Sequence, residues 1–199
     1  MVQNHSNTAS STLGEAAADS LVLLRHQSVL VLDLVASVRL MALDEAGAVR
    51  RWVAFINHVR THILPLHQGR MVKSLGDGLL AVFDCGHAAT QAALMLQRYF
   101  GTVNMTLTTE QHMLLRIGIH TSDLYTDGWD LYGQGVNLAA RVAGLGQAGD
   151  IVVTSAVKEP LTKANLLLDD MGETMVRHWP YPVRTWRVRA ATEHGAEGR

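Results

Sequence analysis

A Gly-Asp-Gly turn, Gly76-Asp77-Gly78, sits between two short apolar runs at residues 70–75 and 79–83, and no other feature constrains the fold as strongly. Glycines on both sides of a turn allow the backbone that strand pairing needs, so the segment reads as a β-hairpin. Its neighbours are helical. Residues 44–66 place Val49, Trp52, Val53, Ile56, Val59 and Ile63 on one face, and Gly69 ends the run. Residues 87–100 form a second amphipathic stripe through Ala88, Ala92, Leu96 and Phe100. Upstream, Val29-Leu30-Val31-Leu32 is an uninterrupted apolar run that stops at Asp33, the pattern of a buried strand. Residues 113–120 read as another strand. Residues 121–129 read as a turn-rich return through Asp127-Gly128. An Ala-rich helix follows over 133–145, then a strand over 151–154 and a short helix from Ser155. Two late strands are expected at 175–177 and 184–188.

This order is β-α-β-β-α-β followed by further α/β elements. It predicts an α+β fold with a ferredoxin-like core whose sheet carries its helices mainly on one face. The 199 residues suffice for one domain with a sizeable core. We expect a flexible leader over 1–26, a folded domain over 27–190 and a flexible tail over 191–199. The formal net charge of −1 gives no general pull toward nucleic acid or an anionic membrane. One cysteine, Cys85, rules out an internal disulfide and a cysteine-built metal site. The longest apolar run, over 28–38, is broken by Asp33 and is too short to span a bilayer, so the expected location is the cytoplasm.

Asp33 ends the first strand and Asp77 tips the hairpin. In a β-α-β-β unit these two strands pair centrally, so the carboxylates can converge on a hard oxygen site suited to Mg²⁺ or Mn²⁺. Either aspartate alone is an ordinary turn residue. Asn137 and Arg141 are spaced i, i+4 and share a helical face. His58 and His62 have the same spacing, but no third ligand accompanies them, so a plain helix face is expected. His120 reads as a packed, hydrogen-bonded histidine, Trp52, Phe55 and Trp186 as core or interface, and Cys85 as buried or semi-buried.

Several stretches resemble a known family in order along the chain. Val31-Leu32-Asp33-Leu34-Val35-Ala36-Ser37 resembles the metal motif of the class III nucleotidyl cyclases, the adenylate and guanylate cyclase catalytic domain. Val72-Lys73-Ser74-Leu75-Gly76-Asp77-Gly78 does too, with Leu79-Leu80-Ala81-Val82-Phe83 after it. Arg116-Ile117-Gly118-Ile119-His120-Thr121 is similar to the family's central strand. Asp130-Leu131-Tyr132-Gly133-Gln134-Gly135-Val136-Asn137-Leu138-Ala139-Ala140-Arg141 is similar to its most specific stretch, and Pro182-Val183-Arg184-Thr185-Trp186 to its closing strand.

The resemblance implies an adenylate cyclase that converts ATP to 3′,5′-cyclic AMP and pyrophosphate. Asp33, the backbone of Leu34, and Asp77 would hold two divalent ions, Mg²⁺ or Mn²⁺. Backbone N–H groups after Asp33, with Ser37, would cradle the triphosphate, and Arg177 would reach its end. Lys73 and Asp130 would read adenine, donating to N1 and accepting from the 6-amino group. Asn137 and Arg141 would position the ribose and stabilise charge at the α-phosphate. The implied partner is a second copy of the chain, in a homodimer whose sites are shared. The family usually has Gly at the positions of Ala36, Ser122 and His178, and Thr at that of Val38. The changes at Ala36 and Val38 support the alternative of a catalytically weak, nucleotide-binding regulatory domain. A diguanylate cyclase is disfavoured, because Gly76-Asp77-Gly78 lacks that family's Glu.

Overall fold

The computed structural model describes residues 22–164 and 166–189. Its first strand, β1 (Leu23–Leu34), begins inside the segment expected as a leader; residues 1–21 and 190–199, which hold the rest of the leader and the tail, lie outside the described residues. Next come α1 (Ser37–His58), a π-helical stretch at Val59–Ile63 and the short α2 (Leu64–Leu66). The hairpin is β2 (Arg70–Ser74) and β3 (Gly78–Phe83), and α3 (Gly86–Asn104) follows it. The remaining elements are β4 (Leu115–Thr126), β5 (Leu131–Tyr132), α4 (Gln134–Ala143), β6 (Ile151–Thr154), α5 (Ser155–Lys163), β7 (Leu167–Met175) and β8 (Pro182–Arg189). One sheet joins them in the order β2-β3-β1-β4-β6-β8-β7, with β5 paired to β4.

Alternation along the strands divides the core. Leu30, Leu32 and Leu34 of β1 join Leu79, Ala81, Phe83, Ile117 and Ile119 against residues of α1, α3 and α5. Val29 and Val31 face the other way and pack with Leu80, Val82, Leu124 and Ala139 of α4. Among the described residues, three helices therefore cover one face and α4 alone lies on the other, as the α+β reading requires. Phe55 of α1 packs on Trp52, Tyr99 and Phe100 with ring centroids 5.2, 5.3 and 4.6 Å away. Aromatic pairs in this geometry add about 0.5–1.5 kcal/mol each beyond area burial, so this cluster fixes α1 on α3.

Four expectations are corrected. Helix α1 starts at Ser37, not near Asp44; Asp44 leaves helical geometry (φ −157, ψ 81) and its Oδ1 accepts from Gly47 N–H at 2.9 Å. Asp44 thus caps the second part of a kinked helix. Residues 121–126 are not a turn-rich return but the second half of β4, paired with 23–28 of β1. The late strand expected at 175–177 ends at Met175 and begins at Leu167, so Arg177 lies in the following turn. Cys85 is exposed.

Candidate active site

The hairpin places the two aspartates. Gly76 has φ +76, which only glycine adopts without strain, and a Cβ on Gly78 would lie 2.6 Å from the Leu32 carbonyl oxygen. Glycine at 78 lets β3 run tightly against β1, in the register Asp33↔Gly78. Asp77 therefore sits one residue from the partner of Asp33. The Leu34 N–H donates to the Asp77 carbonyl (2.8 Å), and Trp52 Nε1–H donates to the Gly76 carbonyl (2.8 Å), so β1 and α1 together hold the tip. Ser37, in the first turn of α1, donates its Oγ–H to Asp77 Oδ2 (2.5 Å). Residue 36 turns the chain into that helix with φ 53, a left-handed backbone that glycine favours, and Ala36 adopts it.

Asp33 has a partner the sequence did not disclose. Arg116 of β4 lies opposite it, and its guanidinium donates to Asp33 Oδ2 at 2.6 Å. The only signal for this contact is pairing register, which no local pattern displays. The donors at this end of the sheet are two carboxylates and backbone groups, all hard oxygens. Mg²⁺ keeps several waters and takes one or two carboxylates plus substrate phosphates, so the residues present fit such an ion. Among the described residues no group of three or more His, Cys, Asp or Glu side chains forms a metal cage.

Lys73 and Asp130 come together although they are 57 residues apart: Lys73 Nζ donates to Asp130 Oδ2 at 2.6 Å. A β-bulge makes this possible. Met71 pairs with Ala81, but Lys73, not Val72, pairs with Leu80. Leu80 faces α4, whereas Ala81 faces the other helices. The extra residue turns Lys73 onto the α4 side, toward Asp130; without it Lys73 would point under α1 and α3. Hydrogen bonds from Lys73 and from the Leu131 N–H hold the Asp130 carboxyl below its ordinary pKa. The result is an ionised acceptor beside an ammonium donor.

Asn137 and Arg141 lie on α4, on the wall of a cleft of about 210 Å³ shared with Gln134, His178, Trp179 and Pro180. His178 takes φ 57, so of the three expected glycine positions His178, like Ala36, has a left-handed backbone and Ser122 does not. Arg177 is exposed beside this cleft. Neither Asp33 nor Asp77 lines it. The structure thus forms three clusters: Asp33–Leu34–Ser37–Asp77 with Arg116, Lys73–Asp130, and Asn137–Arg141.

His120 is packed as expected, with Nδ1 and Thr154 Oγ1 2.8 Å apart, and burial lowers its pKa to about 4. His58 and His62 stack with centroids 4.7 Å apart and make no wider ligand set.

The sheet is mixed, with one hairpin between two helices, and carries the candidate carboxylates where β1 ends and where the hairpin turns. Residues 24–190 match the adenylate and guanylate cyclase catalytic domain, and the chain belongs to this class III nucleotidyl cyclase family. A putative adenylate cyclase of Rhizobium meliloti is 30% identical over 163 residues, covering 81% of this chain and 28% of that protein. An adenylate cyclase of Streptomyces coelicolor is 28% identical over 149 residues, covering 75% of this chain and 38% of its own length. The chain thus spans well under half of these relatives. Among solved structures, an adenylate/guanylate cyclase/hydrolase from Silicibacter pomeroyi superposes with a TM-score of 0.77 at 27% identity, covering 84% of this chain and 98% of that one. An adenylyl cyclase from P. aeruginosa shares the fold with a TM-score of 0.77 at 19% identity, over 86% and 97% of the two chains. Among the described residues no helix is long and apolar enough to cross a membrane.

Proposed function

We propose that this domain is an adenylate cyclase, forming 3′,5′-cyclic AMP and pyrophosphate from ATP in sites shared by two copies of the chain. The observation that carries the base choice is the Lys73–Asp130 pair, 2.6 Å apart. Adenine offers an acceptor, N1, next to a donor, the 6-amino group. An ammonium and a carboxylate side by side match that edge. Guanine offers the reverse pattern there and would leave both groups opposed by like partners, which a site built on hydrogen bonds rejects strongly. Relatives named as adenylate cyclases are consistent with this reading.

Asp33 and Asp77, with the backbone of Leu34, would hold two divalent ions. Such ions supply Lewis-acid stabilisation of the phosphates and lower the pKa of the ribose 3′-hydroxyl. The chain's own groups do the rest. Arg116 balances the charge of Asp33. The N–H groups of the first turn of α1, which open from the left-handed Ala36, together with Ser37, receive triphosphate oxygens. Arg177 is exposed and within reach of the cleft region, where it meets the terminal phosphates. Asn137 orients the ribose so that its 3′-oxygen lies in line with the α-phosphorus and the departing pyrophosphate. Arg141 places positive charge where the α-phosphoryl oxygens become more negative, the point at which fixed charge lowers a barrier most.

Sharing between two copies is supported by the separation of the clusters. The cleft holding Asn137 and Arg141 does not include the aspartates of the same chain. A symmetric dimer can bring one chain's aspartates to the other's α4 and makes two equivalent sites. Mixing inactive Asp77→Ala with inactive Arg141→Ala tests this. One heterodimeric site is then intact, and activity returns in part. Two soluble, dimerising variants that give no rescue would end the shared-site reading.

A further inference from the structure

We propose that Asp127 is a positioning residue for base recognition: its carboxylate and the Thr126 hydroxyl set the backbone from which Asp130 meets the base. This rests on the reading of Lys73 and Asp130 as the adenine-contacting pair.

Residues 127–130 form the loop between β4 and β5, closed by the pairs Tyr125↔Tyr132 and Thr126↔Leu131. Asp127 uses both carboxylate oxygens inside it. Oδ1 accepts from the N–H of Trp129 (2.9 Å) and from the N–H of Asp130 itself (2.8 Å). Oδ2 accepts from the Tyr132 hydroxyl (3.0 Å). From the other side, the buried Thr126 donates its Oγ–H to the Asp130 carbonyl (2.9 Å), and its Oγ accepts from the Gly128 N–H (3.0 Å). Both peptide groups flanking the Asp130 side chain are therefore fixed. Asp130 Oδ1 accepts from the Leu131 N–H (2.8 Å), which sets the carboxylate plane and leaves Oδ2 toward Lys73. Arg70, on the strand that carries Lys73, donates to the Trp129 carbonyl (3.3 Å) and ties the loop to that strand.

An aspartate that merely closes a turn needs one acceptor oxygen toward one or two N–H groups. Asp127 does more: it holds the N–H of the residue that reads the base and engages Tyr132 beyond it. The three donors lower the Asp127 carboxyl pKa, with the Asp130 N–H contributing most, and the hydrogen bond to the Asp127 carboxylate raises that of the Tyr132 phenol. Discrimination between two purines depends on an acceptor held in place, because a carboxylate free to swing can serve either edge. Trp129, which is 84% exposed, offers no packing that could do this instead.

The test compares Asp127→Ala, Asp127→Asn and Thr126→Val in the full chain. The readouts are kcat and KM for ATP and GTP with Mn²⁺, equilibrium binding of fluorescent mant-ATP and mant-GTP, and Mn²⁺ binding to the nucleotide-free protein. Asp127→Ala is expected to raise KM for ATP roughly tenfold and narrow the ATP/GTP ratio by a similar factor, with kcat changed much less. Asp127→Asn keeps an oxygen for both N–H groups and stays within about threefold of wild type. Thr126→Val shifts the ratio in the same direction as Asp127→Ala. Mn²⁺ binding is unchanged in all three. A folded Asp127→Ala with the wild-type ratio, or an Asp127→Asn as impaired as the alanine, overturns the positioning role. If Asp127→Ala does not fold, a wild-type ratio in Thr126→Val overturns it. If Lys73→Met and Asp130→Ala leave the ratio of the wild type intact, the base-reading assignment itself fails, and the role of Asp127 fails with it.

Discussion

His120 makes the stability of this domain sensitive to acid in a way that one substitution removes. Its imidazole is partly buried on β4, hydrogen-bonded to Thr154, and desolvation lowers its pKa from 6.5 to about 4. The folded state therefore binds this proton less readily than the unfolded chain does. Its contribution to stability is fully present above pH 6.5 and is lost as the pH falls toward 4. The full difference of about 2.5 pKa units corresponds to about 3 kcal/mol, and between pH 8 and pH 5 roughly 2 kcal/mol should go. His120→Gln keeps a polar group for Thr154 but cannot titrate. Urea denaturation of both proteins at pH 8 and pH 5 isolates the effect, because the other histidines are common to both. The wild type should lose about 2 kcal/mol more than the variant over that interval. Equal losses would refute the reasoning and mean that the imidazole is solvated in the folded protein.

Three further outcomes follow from the packing. Gly78→Ala puts a Cβ 2.6 Å from the Leu32 carbonyl; it should cost about 1–3 kcal/mol in urea melts and reduce turnover by more than that loss explains, because the Asp33↔Gly78 register shifts. Ala36→Gly relieves a left-handed alanine but adds unfolded-chain entropy, so stability should stay within about 1 kcal/mol of wild type; a larger gain by denaturation would show that the turn into α1 is more strained than its φ of 53 implies. Phe55→Ala removes the centre of the aromatic cluster and should cost about 3–5 kcal/mol, read by thermal or urea unfolding; a loss below 1 kcal/mol would show that α1 is anchored elsewhere.

Much of this architecture was legible in the sequence. The apolar run before Asp33 and the helical stripe through Ala92 each bury one side of an element, and burial leaves a periodic trace; of the stripe through Trp52, Val49 and Val53 are exposed and Phe55 is buried in their stead. Where only part of an element is buried the trace fades. The first residues of β1, 23–26, are all exposed, so nothing marked the strand's start. The outer half of β4 carries Thr121, Ser122 and Asp123, whose polarity read as turn. Edge strand β7 pairs Asp169 with Arg189 and Asp170 with Arg184, a charged edge that blocks further strand addition and hides the strand pattern.

The candidate site shows the same division. Asp33 and Asp77 stood out by type and place in the pattern, and Lys73, Asp130, Asn137 and Arg141 through the resemblance to the cyclase motifs. Their relations did not. The bulge at Val72 that turns Lys73 toward Asp130, the Arg116 guanidinium on Asp33, and the brace that Asp127 makes under Asp130 arise from register and loop closure, which a linear pattern does not encode.

The most direct test of the account is turnover of ATP and GTP by the purified protein with Mn²⁺ and with Mg²⁺, over a range of protein concentrations. The account predicts cyclic AMP from ATP, far less cyclic GMP from GTP, and activity per chain that falls on dilution as shared sites come apart. No cyclic product at micromolar protein with either metal, or a preference for GTP, would contradict it.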